Sequence, residues 1–482
     1  MARAIQGGQT HTLEPLFNPR SVAIAGAGGI GQAFLTCLLD SGYKGKIYPI
    51  SPKGGEVMGL PIHLSVRDVP DVVDFVIACI PARFSLQLVE ECVAKGVKAI
   101  SFYTAGFGER GDEQGHELGR ELMRVARAGC LRILGPNCVG VYHPKVGLSF
   151  SSDNPRKSGP VALICQSGGN AIYTVRAAGY RGIRFSKAVS YGNALDIDES
   201  ELLVYFGQDS ETEIVVAYIE GVKDGKRFYR ALREVSALKP VIVLKAGRTA
   251  AGARAAASHT GALVGSDRVW DRLLHQAGAI RVNTLDELVD MMVAFSYLRV
   301  PRGRKVAAWG GGGGFSVMMI DEYTAAGFAV PPAPQRLQQE IGKEISRFVN
   351  TDAGFILNNP FDLTTLNAGE GHYRVLKRLA AYEGFDMLIG QASTNNSGWP
   401  HKSFGLSVWP DYFTDAAIRV HRETDKPVAV IIHSVLSNWD LQRAVALQQK
   451  CCEAGLPVFR SIGSAAKAMD QFLRYHERLG TT

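Results

Sequence analysis

Three times in this sequence a short apolar run ends in glycines and passes straight into a helical pattern. Residues 21–25 lead into Gly26-Ala-Gly28-Gly-Ile-Gly31, residues 161–165 into Gln166-Ser167-Gly168-Gly169, and residues 306–309 into the five glycines 310–314. Strands and helices alternating in this way bury their apolar runs only as open parallel sheets covered by helices, with ligand loops at the strand carboxyl ends. At about 150 residues per domain, a chain of 482 residues predicts three such domains. The boundaries read as 1–142, 155–300 and 301–482, with the polar, breaker-rich Pro301-Arg-Gly-Arg-Lys305 linking the last two.

The second and third domains read as diverged copies. Val161-Ala-Leu-Ile-Cys165 and the helix running to Ala177-Ala-Gly-Tyr180 parallel Val306-Ala-Ala-Trp309 and the helix running to Ala325-Ala-Gly-Phe328. Lys239-Pro-Val-Ile-Val-Leu244 parallels Lys426-Pro-Val-Ala-Val-Ile431, and Ala277-Gly-Ala-Ile-Arg281 parallels Ala454-Gly-Leu-Pro-Val458. The order is the same throughout, so one topology is predicted for both, the third domain being lengthened near 340–360 and 393–412. Each copy sets a helix N-terminus behind small residues, Ser167, Gly168 and Gly169 in one and Gly312, Gly313 and Gly314 in the other. Free amides and a partial positive charge there suit an anion. A single glycine at such a turn also serves tight strand-to-helix packing, but five in succession exceed that need.

In the first domain, Gly26, Gly28 and Gly31 fall between a strand and a helix, the context that a G-x-G-x-x-G pattern requires, so a Rossmann-like domain is expected. An acid holding ribose hydroxyls should follow the second strand, 46–50, yet the sequence continues Ser51-Pro52-Lys53. Lys53 would suit an extra phosphate on an adenosine ribose, as in coenzyme A or NADP; the other reading is a solvated lysine. Further strands are expected at 72–80, at 99–102 before Thr104-Ala-Gly106-Phe-Gly108-Glu109, and at 131–134 before Gly135-Pro136-Asn137-Cys138-Val-Gly140.

Residues 247–265, Gly-Arg-Thr-Ala-Ala-Gly-Ala-Arg-Ala-Ala-Ala-Ser-His259-Thr-Gly-Ala-Leu-Val-Gly, follow a buried strand and carry almost nothing bulky. A loop is expected, with amides, Arg248, Arg254 and the imidazole of His259 reaching an anion. The other reading is a mobile surface loop with a solvated histidine. The corresponding place in the third domain runs through His433-Ser434 into an ordinary helical pattern, so His433 reads as structural.

A net charge of +7 without basic runs fits small phosphorylated ligands rather than nucleic acid. No apolar run reaches the ~18 to 20 residues of a membrane span, and the start has no apolar signal core, so a cytoplasmic protein is expected. The eight cysteines are scattered in apolar segments without a C-x-x-C pair and read as reduced packing thiols, with no metal site.

Asn18-Pro-Arg-Ser-Val-Ala-Ile, Tyr43-Lys-Gly-Lys-Ile-Tyr-Pro, Pro52-Lys53, Ala105-Gly-Phe-Gly-Glu109 and Gly135-Pro-Asn-Cys-Val-Gly140 resemble the CoA-binding domain of NDP-forming acyl-CoA synthetases, relatives of succinyl-CoA synthetase. The turn 26–31 is shorter than is usual in that family. Ser258-His-Thr-Gly261 resembles the phosphohistidine loop of the ADP-forming acetyl-CoA synthetases, Ser190-Tyr-Gly-Asn193 the family's Gly-Asn loop, and Asn359-Pro-Phe-Asp362 a further family motif.

The resemblance implies CoA bound at Gly26, Gly28, Gly31, Pro52, Lys53 and Asn137, and two flavodoxin-like domains after the first. It implies that His259 is phosphorylated between two amide-rich helix starts and that Glu220 steadies its imidazole. It also implies an acid–CoA ligase (ADP-forming) that interconverts acyl-CoA, ADP and phosphate with a carboxylic acid, CoA and ATP. No G-x-x-x-x-G-K-[ST] occurs and nothing resembles an ATP-grasp domain. ADP/ATP and Mg2+ are therefore expected on a separate ATP-grasp β-type subunit, in a heterotetramer, with a small carboxylic acid as substrate. The rival readings are a non-catalytic CoA-binding regulator and an NADP-dependent oxidoreductase.

Overall fold

In the computed structural model of the protein, the structure describes residues 13–108, 113–260, 266–310, 312–349, 357–363, 366, 368–393, 409–433 and 438–481, without the side chains of 256–260, 393, 409, 433 and 439. The chain divides into two compact units. One joins Met1–Gly179 to Ile183–Leu288, the other Tyr180–Gly182 to Val289–Thr482. The division falls within the helix Leu285–Tyr297, ahead of the polar stretch 301–305.

The first unit holds two large sheets besides the two-stranded pair Glu56–Val57 and Leu60–Pro61. The first is wholly parallel, in the spatial order Lys46–Ile50, Ser21–Ala25, Phe75–Ala78, Ala99–Phe102, Arg132–Leu134. Helices cover both faces, and Ala23, Val76, Ile100, Leu122 and Ile133 belong to one core cluster. The third strand is shorter than the expected 72–80. Val72 is 64% exposed, and the Asp74 carboxylate is turned to the backbone N–H of Arg20 at 2.9 Å, so an ion-paired corner occupies the start of that apolar run.

The second sheet has the order Ile280–Val282, Val241–Lys245, Ile214–Ile219, Ser158–Cys165, Phe185–Ser190, Gly140–Tyr142. All neighbours are parallel except the last pair, where Ala188 faces Tyr142. The strand Gly140–Tyr142, read from sequence as the tail of the first domain, is thus hydrogen-bonded into the second sheet. Arg132 reinforces the junction, reaching Asp196 and Glu201 at 2.8 Å each. Two family-like loops also meet there: Asn193 N–H donates to the Pro136 carbonyl at 3.0 Å and Leu195 N–H to that of Gly135 at 2.8 Å.

The second unit carries the third sheet, ordered Phe361–Asp362, Val306–Gly310, Met387–Ser393, Val428–His433, Val458–Phe459, all parallel. Its order, second strand, first, third, fourth, fifth, matches the parallel part of the second sheet, so the internal repeat of the sequence is a repeat of topology. Asn359 pins the motif 359–362, accepting from Ala308 N–H at 2.9 Å and donating to the Val306 and Pro331 carbonyls at 2.8 and 2.9 Å. The short segment Tyr180–Gly182 belongs here because the buried Arg181 guanidinium binds Asp290 and the Val458 carbonyl at 2.5 Å each.

A further expectation is corrected. Most of the stretch 247–265 is not a loop: Ala250–Thr260 is an α-helix, entered through Thr249, whose hydroxyl accepts from Gly252 N–H at 3.1 Å. Alanine has the highest helix propensity of any residue, and poverty in packing side chains says nothing against a helix.

Candidate active site

In the first sheet the turn 26–31 lies where strand order reverses, the crevice in which open α/β sheets take ligands. Its glycines differ in purpose. A Cβ on Gly26, at φ +88°, would stand 2.5 Å from the Cys79 carbonyl oxygen, and one on Gly31 would stand 2.0 Å from that of Gly26. Packing demands both. An added Cβ at the exposed Gly28 would meet nothing within 4 Å, so packing does not require the bare backbone there and the turn leaves room for a ligand to approach it closely. The helix Ile30–Asp40 starts at this point, with Gly31 N–H on the Gly28 carbonyl at 3.1 Å and Ala33 N–H on that of Gly29 at 3.3 Å, and its N-terminal end carries the partial positive charge that suits an anion. Gly26 and Ala27 N–H donate to the Ile50 carbonyl at 2.9 and 3.1 Å, which ties the turn to the loop bearing the exposed Pro52 and Lys53. Asn137 is elsewhere. It follows the strand Arg132–Leu134, three places along the sheet from the strand that leads into the turn, and sits at φ +56° with its N–H on the Thr104 carbonyl at 3.0 Å.

The second sheet presents the same kind of edge. Ser167 caps the helix Gly168–Tyr180, its carbonyl accepting from Ala171 N–H at 2.9 Å and its hydroxyl from Asn170 N–H at 3.4 Å. A Cβ on Gly168 would press the Val139 side chain at 2.9 Å, whereas one on Gly169 would meet nothing within 4 Å. One glycine serves packing and the next leaves the helix start open to a ligand.

Glu220 follows the strand Ile214–Ile219 directly and is 6% exposed, far from the surface acid its sequence surroundings suggest. The Tyr218 hydroxyl donates to its Oε1 at 3.3 Å. Burial pushes the Tyr218 and Cys165 hydroxyl and thiol up, and the Glu220 charge pushes them further the same way. Neither competes with the carboxylate for charge.

The strand next to that of Glu220, Val241–Lys245, runs through Gly247 and Arg248 into the helix carrying His259 near its last turn. The imidazole of His259 and residues 261–265 lie outside the described residues. In the second unit, Gly312, at φ +90°, precedes the helix Gly313–Ala325, and a Cβ on Gly312, Gly313 or Gly314 would meet nothing within 4 Å. By contrast, one on Gly310 would lie 2.3 Å from the Gln391 carbonyl oxygen. Packing therefore does not require glycine at three of the five positions, and Gly311 lies outside the described residues.

Sequence reasoning missed two residues at the second sheet's edge. Gln166, 5% exposed, accepts from the backbone N–H of Glu220 and Gly221 at 2.7 and 3.1 Å. Lys245, 2% exposed, is the cross-strand partner of Ile219 and sets its ammonium 5.1 Å from the Trp270 ring centroid. Burial pushes that ammonium down to about 8, against the opposing pull of Asp267 and Glu220. A lysine closing an apolar strand was the available signal.

Residues 20–144 match the family model of a CoA binding domain, and residues 158–295 that of a succinyl-CoA ligase like flavodoxin domain. The chain is 40% identical over 476 residues to subunit alpha of acetate–CoA ligase (ADP-forming) I from Pyrococcus furiosus, covering 96% of this chain and 98% of that one. It is 41% identical over 322 residues to the acetate–CoA ligase (ADP-forming) of Methanocaldococcus jannaschii, covering 65% of this chain and 44% of that longer one. Among solved structures, the dinucleotide forming acetyl-coenzyme A synthetase 1 of Ca. Korarchaeum cryptofilum, in complex with phosphate and ADP, matches with a TM-score of 0.80 at 32% identity, covering 97% of this chain and 98% of that one. With its fold and nearly its whole length shared in this way, the chain belongs to the NDP-forming acyl-CoA synthetases.

Proposed function

We propose that the chain is the CoA-binding, α-type subunit of an ADP-forming acid–CoA ligase working through phosphorylated His259. In the direction that consumes acyl-CoA, a phosphate oxygen attacks the thioester carbonyl, the C–S bond breaks, and CoA leaves as the thiolate. A ring nitrogen of His259 then attacks phosphorus, the P–O bond to the acyl group breaks, and the carboxylate departs. Finally the terminal oxygen of ADP attacks phosphorus, the P–N bond breaks, and ATP and free imidazole result. Run backwards, a small carboxylic acid is activated.

The helix starts at Ser167, Gly168, Gly169 and at Gly312, Gly313, Gly314 stabilise the transferred phosphoryl charge with fixed amides. Glu220 on one ring nitrogen sets the tautomer and leaves the other free to attack. Open backbone at Gly28 fits the CoA pyrophosphate, with Lys53 near the ribose phosphate. The observation that carries this reading is the buried Glu220 carboxylate at the reversal point of the second sheet. It lies one strand from the open helix start and one strand from the strand leading to His259.

ADP/ATP and Mg2+ belong, in this reading, to a separate ATP-grasp β-type subunit in a heterotetramer. The length of the Methanocaldococcus jannaschii relative, of which this chain covers 44%, supports a missing nucleotide-binding part. Among the described residues no helix is long and apolar enough to cross a membrane, and the cytoplasm is the compartment that suits eight free thiols.

Acetyl-CoA with [32P]phosphate should place acid-labile label on the chain, and His259→Ala should abolish it. Undiminished labelling of His259→Ala would place the phosphoryl group on another residue, and a parent chain that binds CoA but takes no label would be a CoA-binding regulator instead. Self-phosphorylation from ATP without a partner would refute the separate nucleotide subunit.

A further inference from the structure

We propose that Gln166 is the positioning residue for Glu220, its side-chain oxygen fixing the backbone that aims the carboxylate from the same turn that opens the helix Gly168–Tyr180. The inference rests on the role of Glu220 proposed above and adds to it the means by which the carboxylate is held.

The strand of Glu220 loses its ladder just where the glutamate begins. Pairing with Ser158–Cys165 runs up to Tyr218 opposite Cys165, and pairing with Val241–Lys245 up to Ile219 opposite Lys245. The next two N–H groups, of Glu220 and Gly221, both turn to Gln166 Oε1, at 2.7 and 3.1 Å. The Gln166 backbone N–H donates to the Tyr218 carbonyl at 3.0 Å, so main chain and side chain of one residue grip successive rungs. The Tyr191 hydroxyl reaches the same oxygen at 3.3 Å. An amide oxygen has two lone pairs, and the two short bonds use them with the hydroxyl at longer range. The glutamine therefore works as a one-residue extension of the sheet.

Two features argue for more than tidy packing. Held at its backbone N–H by Gln166 and at Oε1 by Tyr218, Glu220 is fixed both at its main chain and at its carboxylate. A group that must orient an imidazole needs placement to about 0.5 Å. The diverged copy supplies the second. Registers that place Cys165 opposite Tyr218 and Gly310 opposite Gln391 make Gly311 and Ser393 the counterparts of Gln166 and Glu220. Glutamine and glutamate are present together in the copy that bears His259 and absent together from the other.

The test is a double-mutant cycle on the full chain, reading the initial rate of label transfer from acetyl-CoA and [32P]phosphate to histidine, with CoA titration as the check that the fold is intact. Gln166→Met should slow labelling by about 10- to 100-fold, the usual cost of losing the support of a catalytic group. Glu220→Gln should slow it comparably. In the Glu220→Gln background, Gln166→Met should change the rate by less than about threefold, because the two act as one unit. Multiplying losses, or a parental rate in Gln166→Met, overturns the proposal. A parental rate in Glu220→Gln instead overturns the role of Glu220. If Gln166→Met does not fold, Gln166→Asn, one methylene too short to serve both amides, takes its place with the same expected outcome.

Discussion

Gly31 stands directly against Gly26, so that a methyl group on Gly31 would lie 2.0 Å from the Gly26 carbonyl oxygen. Backbone would have to move, and overpacking of this kind costs about 1–3 kcal/mol. Gly31→Ala should lower unfolding stability by an amount in that range. Gly28→Ala, with nothing within 4 Å, should leave stability unchanged and weaken CoA by about tenfold through lost backbone approach. Denaturant unfolding and calorimetric CoA titration distinguish the two, and CoA binding intact in Gly28→Ala would remove the pyrophosphate from this turn.

Lys53 is exposed on the loop that the Gly26 turn is tied to through Ile50. A solvated lysine meeting the ribose phosphate contributes at most about 1 kcal/mol and is screened by salt. Lys53→Ala should therefore reduce the preference for CoA over 3′-dephospho-CoA by about three- to fivefold at low ionic strength. An unaltered preference would place that phosphate elsewhere.

Lys245 binds its proton less tightly folded than unfolded, its ammonium being pushed down by burial to about 8. Between roughly pH 8 and the ordinary lysine value near 10.5 the unfolded chain holds a proton the folded chain has released, so this residue makes unfolding free energy rise with pH. Lys245→Met should be more stable than the parent at pH 7, with the difference shrinking by pH 10. Parallel stability curves across that range would contradict the assignment.

Glu199 carries the opposite sign. Burial, and then the charge of Asp198, push its carboxyl up to about 7. From about pH 4.5 to 7 the folded chain keeps a proton the unfolded chain has lost, and stability falls as pH rises through that window. Glu199→Gln should gain stability over the parent at pH 8 and little at pH 4.5. Chemical denaturation at the two pH values is sufficient, and an equal gain at both would show that the charge is not the cause.

Much of the architecture was legible in the chain itself. Apolar runs that end in glycine and restart as helices predict parallel sheets, and Lys239-Pro and Lys426-Pro mark corresponding strands of two copies with one strand order. The candidate site was legible only in part. Glu220 was reached through resemblance, because a glutamate before a glycine looks solvated until neighbouring strands bury it. The helix Ala250–Thr260 stands where small side chains suggest a loop, because alanine asks for no packing partner to be helical.

The amino-acid sequence by itself determined the three strand–glycine–helix openings, the internal repeat and the family, since all of these reside in order and spacing along the chain. Only the tertiary structure separated the glycines that packing requires, Gly26, Gly31 and Gly168, from those that face open space, Gly28, Gly169 and Gly312 to Gly314. It alone joined Gln166 to Glu220, 54 residues apart in sequence. Parallel strands need long crossovers, so neighbours across such a sheet are distant in sequence, and register decides which side chain completes the rung beside the carboxylate.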